Sequence, residues 1–500
     1  MTLLDKRAGG VLMHISSLPG KTGIGTMGRN AYSFVDFLHG SSQTYWQILP
    51  IGPTGFGDSP YQSFSTFAGN PYFIDPELLE DDGLISRSDW EDVDWGGDPG
   101  AVDYGLLYKQ RHELFKKVQE NFEKKVPSDF GSFCSRNAYW LDDYSLFMAV
   151  KDAHCGRAFD TWEDGIKKRV PSAVKEWSLK CASRVSYYKI LQYLFYKQWD
   201  ALKKYANGRG IKIIGDIPIY VAADSADVWS SPGQFALDAD LKPVEVAGCP
   251  PDAFSEGGQL WGNPVYNWGA MKADGYSWWK KRLEISLRNY DVLRIDHFRG
   301  FDSFYCIPFG SPDAKNGCWR EGPGAELFFE IRKEFGELPI IAEDLGFLTD
   351  SVRRMLSDVG FPGMKILQFA FDSRGGNDDY LPHKYERNTV VYTGTHDNDT
   401  IIGWKNVISR EDYELAKSYM RCGDEGFAEN MMLEAMSTVA NTCILTMQDL
   451  LGLDGSGRMN EPSTVGKNWK WRALDGQISQ RVSDFLKHAS HVYHRENPQL

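Results

Sequence analysis

The chain has no CxxC pair. Its eight cysteines, Cys134, Cys155, Cys181, Cys249, Cys306, Cys318, Cys422 and Cys443, lie far apart. That spacing supports neither a zinc site nor a dense disulfide framework, and predicts isolated reduced thiols. Apolar runs approaching the ~20 residues needed to span a bilayer are missing too. The opening segment MTLLDKRAGGVLMH lacks a basic stretch followed by an apolar run and a small-residue cleavage site, so a soluble, non-exported protein is expected. Basic residues are in deficit: 55 Lys and Arg face 68 Asp and Glu, for a formal charge of −13. A surface of that sign repels phosphate backbones and anionic lipid headgroups, which argues against nucleic acid and membrane as partners. Internal repeats, low-complexity tracts and extended linkers are also absent. A neutral or small-molecule partner fits best.

Aromatic residues are plentiful, with 16 Trp, 24 Tyr and 28 Phe. Most belong to the core on ordinary burial tendencies, and the remainder could stack on sugar rings. Five hundred residues suit a large α/β barrel with insertions. Short apolar runs recur at Gly10–Ser16, Tyr45–Ile51, Ile211–Val221, Val292–Phe298, Pro339–Leu345, Met364–Phe371 and Val390–Thr395, with a weaker eighth at Ile444–Leu450. They lack strict alternation, the pattern of strands covered on both faces. Helical stretches at Glu326–Phe335 and Ser351–Val359 flank the fifth run. Strand and helix in alternation, about eight times, predict a (β/α)8 TIM-type barrel over 1–500, with an open doubly wound sheet as the alternative. Residues 73–207 interrupt the rhythm. They are read as a helix-rich insertion between the second and third strands, with helices at Leu106–Phe122 and Ser183–Tyr205. A second insertion of loop and helix is expected over the cleft at about 222–290.

Two glycine motifs mislead. Gly23-Ile24-Gly25-Thr26-Met27-Gly28 matches GxGxxG, but Ser16 to Thr22 separate it from the apolar run. The acid that would hold a ribose is also missing, since Asp58 is the next after Asp36. Gly20-Lys21-Thr22 ends like a P-loop, yet Ile15 stands where the first glycine belongs.

Acids sit at the carboxyl ends of several predicted strands, in VLRIDHFR (292–299), IIAEDLG (340–346) and TGTHDNDT (393–400), with Asp216 in IIGDIP of similar design. In a parallel barrel these ends converge on one face, where active sites lie. Each could be a structural ion pair; three or four together are costly unless they do chemistry. Carboxylates without Cys or His-rich ligand spacing suit either an oxygen-ligand metal site or glycosidic bond cleavage. Arg294 and Asp296, two apart on one strand, point the same way. An arginine there would compete with a cation and favours the second chemistry.

At these residues the chain resembles the amylomaltase family, also called disproportionating enzyme or 4-α-glucanotransferase, of the α-amylase clan. The matching blocks include RAGGVLMHISSLPG, DSPYQSFSTFAGNPYFI, GDIPIYVAADSADVW, PPDAFSEGGQLWGNPVYNW, VLRIDHFRGF, AEDLG, PGMKILQFAFD, YTGTHDNDT and RMNEPSTVGKNWKW. The resemblance implies double displacement on α-1,4-glucans and maltooligosaccharides, without metal or cofactor. Asp296 would be the nucleophile, Glu343 the general acid and base, and Asp397 the transition-state stabiliser. Arg294 would hold Asp296 ionised, and neighbouring acids would raise the pKa of Glu343. Ser59, Tyr61, Gln259, Trp261, His297, His396 and Asn468 would contact sugar, and Asp216 would support the site. Gln259 and Trp261 close a loop, Pro250–Trp261, that overhangs the cleft in the family. A bacterial cytoplasmic location is expected, with the plastid stroma as the alternative. Oligomeric state is left open.

Overall fold

Eight short strands, Ala8–Leu12, Tyr45–Gln47, Lys212–Pro218, Val292–Asp296, Ile340–Ala342, Gly363–Ile366, Thr389–Tyr392 and Thr442–Thr446, carry the architecture in the computed structural model. Residues 3–55, 57–251, 256–346, 348–373 and 378–499 are described. Except at one place, each strand pairs in parallel with its neighbour in the chain, and the eighth pairs with the first, Ala8 opposite Thr442. The single seam falls between the fifth and sixth strands. There the Ala342 N–H donates to the Pro362 carbonyl at 2.9 Å, and the Met364 N–H donates to Asp344 Oδ1 at 2.6 Å. The sheet is thus nearly closed into the expected TIM-type barrel.

Continuous burial explains why the sequence showed apolar runs and not alternation: the first, second, fifth, seventh and eighth strands are buried at every position. Leu12, Tyr45, Ile214, Val292, Ile341, Ile366, Tyr392 and Ile444 belong to one cluster, while the alternate residues pack into the larger cluster shared with the helices. Gly10 is required by this packing, since a Cβ there would stand 2.6 Å from Tyr45 Cβ and 2.7 Å from Ile444 Cδ1. Every run extends past its strand, and in the sixth and eighth the extension is α-helical. Leu367–Ala370 and Met447–Leu450 form helical turns there; periodicity alone cannot tell strand from helix in a short buried apolar run.

Between the second and third strands, the helices expected at 106–122 and 183–205 run over Tyr104–Lys124 and Ala182–Gly208, joined by Phe130–Ala153 and Pro171–Lys180. The Asp103 side chain caps the first, accepting from the Leu106 N–H at 3.0 Å. Helix Glu326–Phe335 starts and ends as expected; Asp350–Val359 is capped by Thr349 and stops at left-handed Gly360.

The stretch 222–290 requires a correction, because it holds more than loop and helix. Glu245–Cys249 and Gln259–Pro264 are strands that join Ser303–Pro308 and Cys318–Glu321 in a four-stranded antiparallel sheet. Gln259 therefore opens a strand and does not close a loop; residues 252–255 of the expected cleft loop lie outside the described residues. Proline, glycine and exposed positions hide these strands, whose partners lie as far away in the chain as Pro308 is from Glu245.

The amino-terminal floor of the barrel is tied by two arginines. Arg495, fully buried, donates to the carbonyls of Ala8, Met436, Thr438, Ala440 and Asn441. Arg7 reaches the carbonyls of Met436, Thr438 and Tyr493. Among the described residues, no helix is long and apolar enough to cross a membrane.

Candidate active site

The fourth strand projects Arg294 and Asp296 from one face, two residues apart. Arg294 Nη1 lies 2.6 Å from Asp216 Oδ2 on the third strand, and Nη2 lies 2.8 Å from Asp296 Oδ1. Nε contacts Met364 Sδ at 3.4 Å. Burial works against the charge of this guanidinium, but the two carboxylates prevail and hold its pKa well above the ordinary value. Asp216 is fully buried; burial raises its pKa against the opposing pull of Arg294. Tyr61, from the loop after the second strand, donates its hydroxyl to Asp216 Oδ2 at 2.8 Å.

Glu343 follows the fifth strand. The turn after Asp296 passes through His297 in the left-handed region (φ 53°), which turns the His297 N–H onto Glu343 Oε2 at 2.6 Å. The Leu345 N–H donates to Oε1 at 2.8 Å. Burial raises the Glu343 pKa first and the charge of Asp296 second, to about 8, although Arg294 and both amide donors oppose the shift. Neighbouring acids are therefore the lesser cause, where the sequence had suggested the main one. The adjacent Asp344 has a different task, since its Oδ1 receives the Met364 N–H and closes the barrel seam.

Beyond the seventh strand, His396 and Asp397 stand side by side, with His396 Nε2 at 3.3 Å from Asp397 Oδ1. The Tyr61 ring stacks on His396 with centroids 5.2 Å apart and planes 16° apart. Asn398 folds this loop back by accepting the Thr395 N–H at 2.9 Å. Burial, with a smaller push from Arg299, lowers the His297 pKa to about 3, so its ring is neutral.

A neighbouring cleft of about 500 Å³ is lined by Ser59, Gln259, Trp261, Asn460, Asn468 and Trp469, among others. Four sugar-contact candidates thus meet on one surface. Trp261 donates its indole N–H to Gln259 Oε1 at 3.0 Å and sets its ring edge-on to His297, with centroids 4.8 Å apart. Asn468 is buried, and its amide is spent on its own loop: it accepts from the Glu461 N–H at 3.1 Å and donates to the Thr464 carbonyl at 2.9 Å. Its visible work is to shape the cleft wall. Ser59 Oγ receives the Tyr61 N–H at 3.3 Å and so orients the turn that delivers Tyr61.

Three residues went unnoticed in the sequence. Asn460 donates to Asp397 Oδ1 at 2.6 Å, Arg458 donates to the Asp397 carbonyl at 2.7 Å, and the Trp469 ring packs against both Tyr61 and His396. The segment RMNEPSTVGKNWKW contains all three, but only its neighbours in space show what they do. Among the described residues, no three His, Cys, Asp or Glu side chains gather as a metal-holding group.

A family model described as 4-alpha-glucanotransferase matches residues 13–476. The chain belongs to the 4-alpha-glucanotransferase family. It is 48% identical to a 4-alpha-glucanotransferase of Clostridium butyricum over 97% of its own length and all of that protein's. The amylomaltase of Streptococcus agalactiae, solved in complex with acarbose, superposes with a TM-score of 0.96 at 45% identity, covering 98% of this chain and all of the other. An amylomaltase from Corynebacterium glutamicum shares the fold at 18% identity, with a TM-score of 0.79 over 97% of this chain and 75% of that one. The enzyme is a glycosyltransferase that acts on glucans.

Proposed function

We propose that this 4-alpha-glucanotransferase moves α-1,4-linked glucan segments from a donor chain to the 4-hydroxyl of an acceptor glucan or glucose, by double displacement through a glucosyl-aspartate. The observation that carries this reading is the unequal environment of two carboxyl groups. Asp296 is paired with a guanidinium, while Glu343 is buried beside the negative charge of Asp296, with its pKa raised to about 8. One is set up to attack and the other to hold a proton at neutral pH.

In the first half-reaction Asp296, held through Oδ1, attacks the anomeric carbon with its other oxygen. The bond to the leaving glycosidic oxygen breaks as Glu343 delivers its proton there. The amide contacts to Glu343 occupy one lone pair on each oxygen and leave another for that proton. In the second half, Glu343 takes the proton from the acceptor 4-hydroxyl, whose oxygen displaces Asp296 and restores the α configuration. Asp397 and His396 would grip ring hydroxyls and stabilise the positive charge that develops on the sugar.

Transfer and hydrolysis share these carboxylates and differ in whether sugar or water meets the intermediate. The cleft lined by Gln259, Trp261 and Trp469 supports sugar, because it offers stacking faces next to the carboxylates. Incubation with maltotriose tests this. Glucose plus a ladder of longer maltooligosaccharides is expected; glucose and maltose with no longer product would overturn transfer in favour of hydrolysis.

A further inference from the structure

Asp397 differs from Asp296 in that, among the described residues, no guanidinium meets its carboxylate. Its shortest contact is the side-chain amide of Asn460, whose Nδ2 donates to Oδ1 at 2.6 Å, against 3.3 Å for His396 Nε2 on the same oxygen. The backbone is held from the same direction. Arg458 donates to the Asp397 carbonyl at 2.7 Å, and the Asn460 N–H donates to the His396 carbonyl at 3.0 Å. Three hydrogen bonds from 458–460 therefore fix two consecutive residues after the seventh strand.

The segment that supplies them is itself tightly organised. Its ends meet where the Trp469 N–H donates to the Met459 carbonyl at 2.8 Å, with Met459 buried and Trp469 at a φ of 65°. Asn468 ties the interior to Glu461 and Thr464, while Val465 near the tip is 71% exposed. The same segment forms one wall of the cleft. A loop tied at its base and exposed at its tip joins the tryptophan-lined cleft to Asp397.

We propose that Asn460 is a positioning residue for glucan transfer: it holds the Asp397 carboxylate in its working orientation as part of the cleft wall. The inference rests on the double-displacement reading, in which Asp397 stabilises the transition state. An amide suits this task because it donates a directed hydrogen bond and adds no charge. An arginine would neutralise the field that a developing oxocarbenium ion needs. Among the described residues, the charged and titratable groups that act with Asp397 include His396 on its own loop, Arg458 at its carbonyl, and Tyr61, on which both Asp397 and Asp296 act electrostatically.

Asn460→Ala and Asn460→Asp, with Asp397→Asn as reference, test the proposal on maltotriose, with acarbose as the inhibitory probe. Misplacement of a catalytic group costs on the order of a hundredfold. Asn460→Ala is accordingly expected to lower kcat about 10- to 100-fold, to change KM less than about threefold, and to weaken acarbose inhibition. Asn460→Asp gives the sharper readout. When the new carboxyl carries a proton it can donate to Asp397 as the amide did; once it ionises, two like charges share one contact. The variant should regain near-wild-type kcat at the acid end of the profile and lose it as pH rises, with the alkaline limb at least about one pH unit below that of the wild type.

Wild-type kcat and acarbose affinity in Asn460→Ala, or an Asn460→Asp profile that superposes on the wild type, would overturn the proposal. A fully active Asp397→Asn would instead overturn the role of Asp397. If Asn460→Ala fails to fold, the reversible pH response of Asn460→Asp decides, checked for unchanged circular dichroism across the range.

Discussion

Arg294 at the mouth of the barrel and Arg495 at its floor are both almost wholly buried, yet they are held by opposite chemistry. Arg294 sits between two carboxylates, which keep its pKa well above the ordinary value. Arg495 meets only neutral carbonyls there; burial brings its pKa down to about 10, with nearby Cys443 opposing and Arg7 adding to the fall. At the floor the guanidinium serves as a fork of directed donors that satisfies carbonyls at the chain's closure. At the mouth it is a charge that lets two acids coexist in a partly dry site. The lesson is that burial alone does not set how firmly an arginine keeps its charge: the charge of its partners does.

The largest effect that can break this comparison is at the mouth. Asp296→Ala should lower transfer from maltotriose roughly ten-thousandfold, as loss of a nucleophile does, while maltooligosaccharide binding measured by calorimetry survives. Wild-type turnover would remove Asp296 from its role. Next comes a paired substitution. Arg495→Lys, with three donors for five carbonyls, is expected to cost about 2–4 kcal/mol in denaturant unfolding while the folded fraction keeps its specific activity. Arg294→Lys cannot bridge Asp216 and Asp296 as a planar fork does, and should cut kcat about a hundredfold. If both variants lose the same property, the two arginines are not the different devices described above.

The smallest effects concern pH. In the proposed double displacement Glu343 is protonated for the first step; with its pKa near 8, kcat should decline as pH rises through about 8. The same shift acts on stability. A carboxyl that titrates near 4.5 when unfolded and near 8 when folded binds its proton more tightly in the folded state. Its stabilising contribution is therefore complete below about pH 4.5 and is lost as pH rises to about 8. Glu343→Gln cannot ionise. Whatever constant offset the altered amide contacts impose, its melting temperature should gain on the wild type by roughly 1–3 °C between pH 5 and 8.5. A constant difference across that range would mean that Glu343 is not destabilised when charged.

Much of the scaffold was legible because a two-sided parallel sheet writes itself as uninterrupted apolar runs. All eight barrel strands lie at such runs, and Val292–Asp296 begins where its run begins. The antiparallel sheet of Glu245–Cys249 and Gln259–Pro264 was missed because its strands are short, half exposed and paired with residues distant in the chain. In the site, the pairing of Arg294 with Asp296 was readable from a spacing of two. Its second partner, Asp216, was expected as site support without this contact, because the third and fourth strands are separated by the whole stretch 222–290.

The linear order of residues already contains the kinds of chemistry available: carboxylates at strand ends, an arginine beside one of them, and no cysteine spacing suited to zinc. Periodicity and local spacing are enough for that, since they act over a few residues. How the groups differ follows from the folded arrangement. Burial beside Asp296 sets Glu343 apart from the other carboxyl groups by raising its pKa to about 8. A left-handed turn at His297 aims an amide at it, and Asn460, sixty-three residues further along the chain, meets Asp397. Desolvation and hydrogen-bond geometry depend on what surrounds a side chain in space, and neighbours in space are what a linear pattern does not contain.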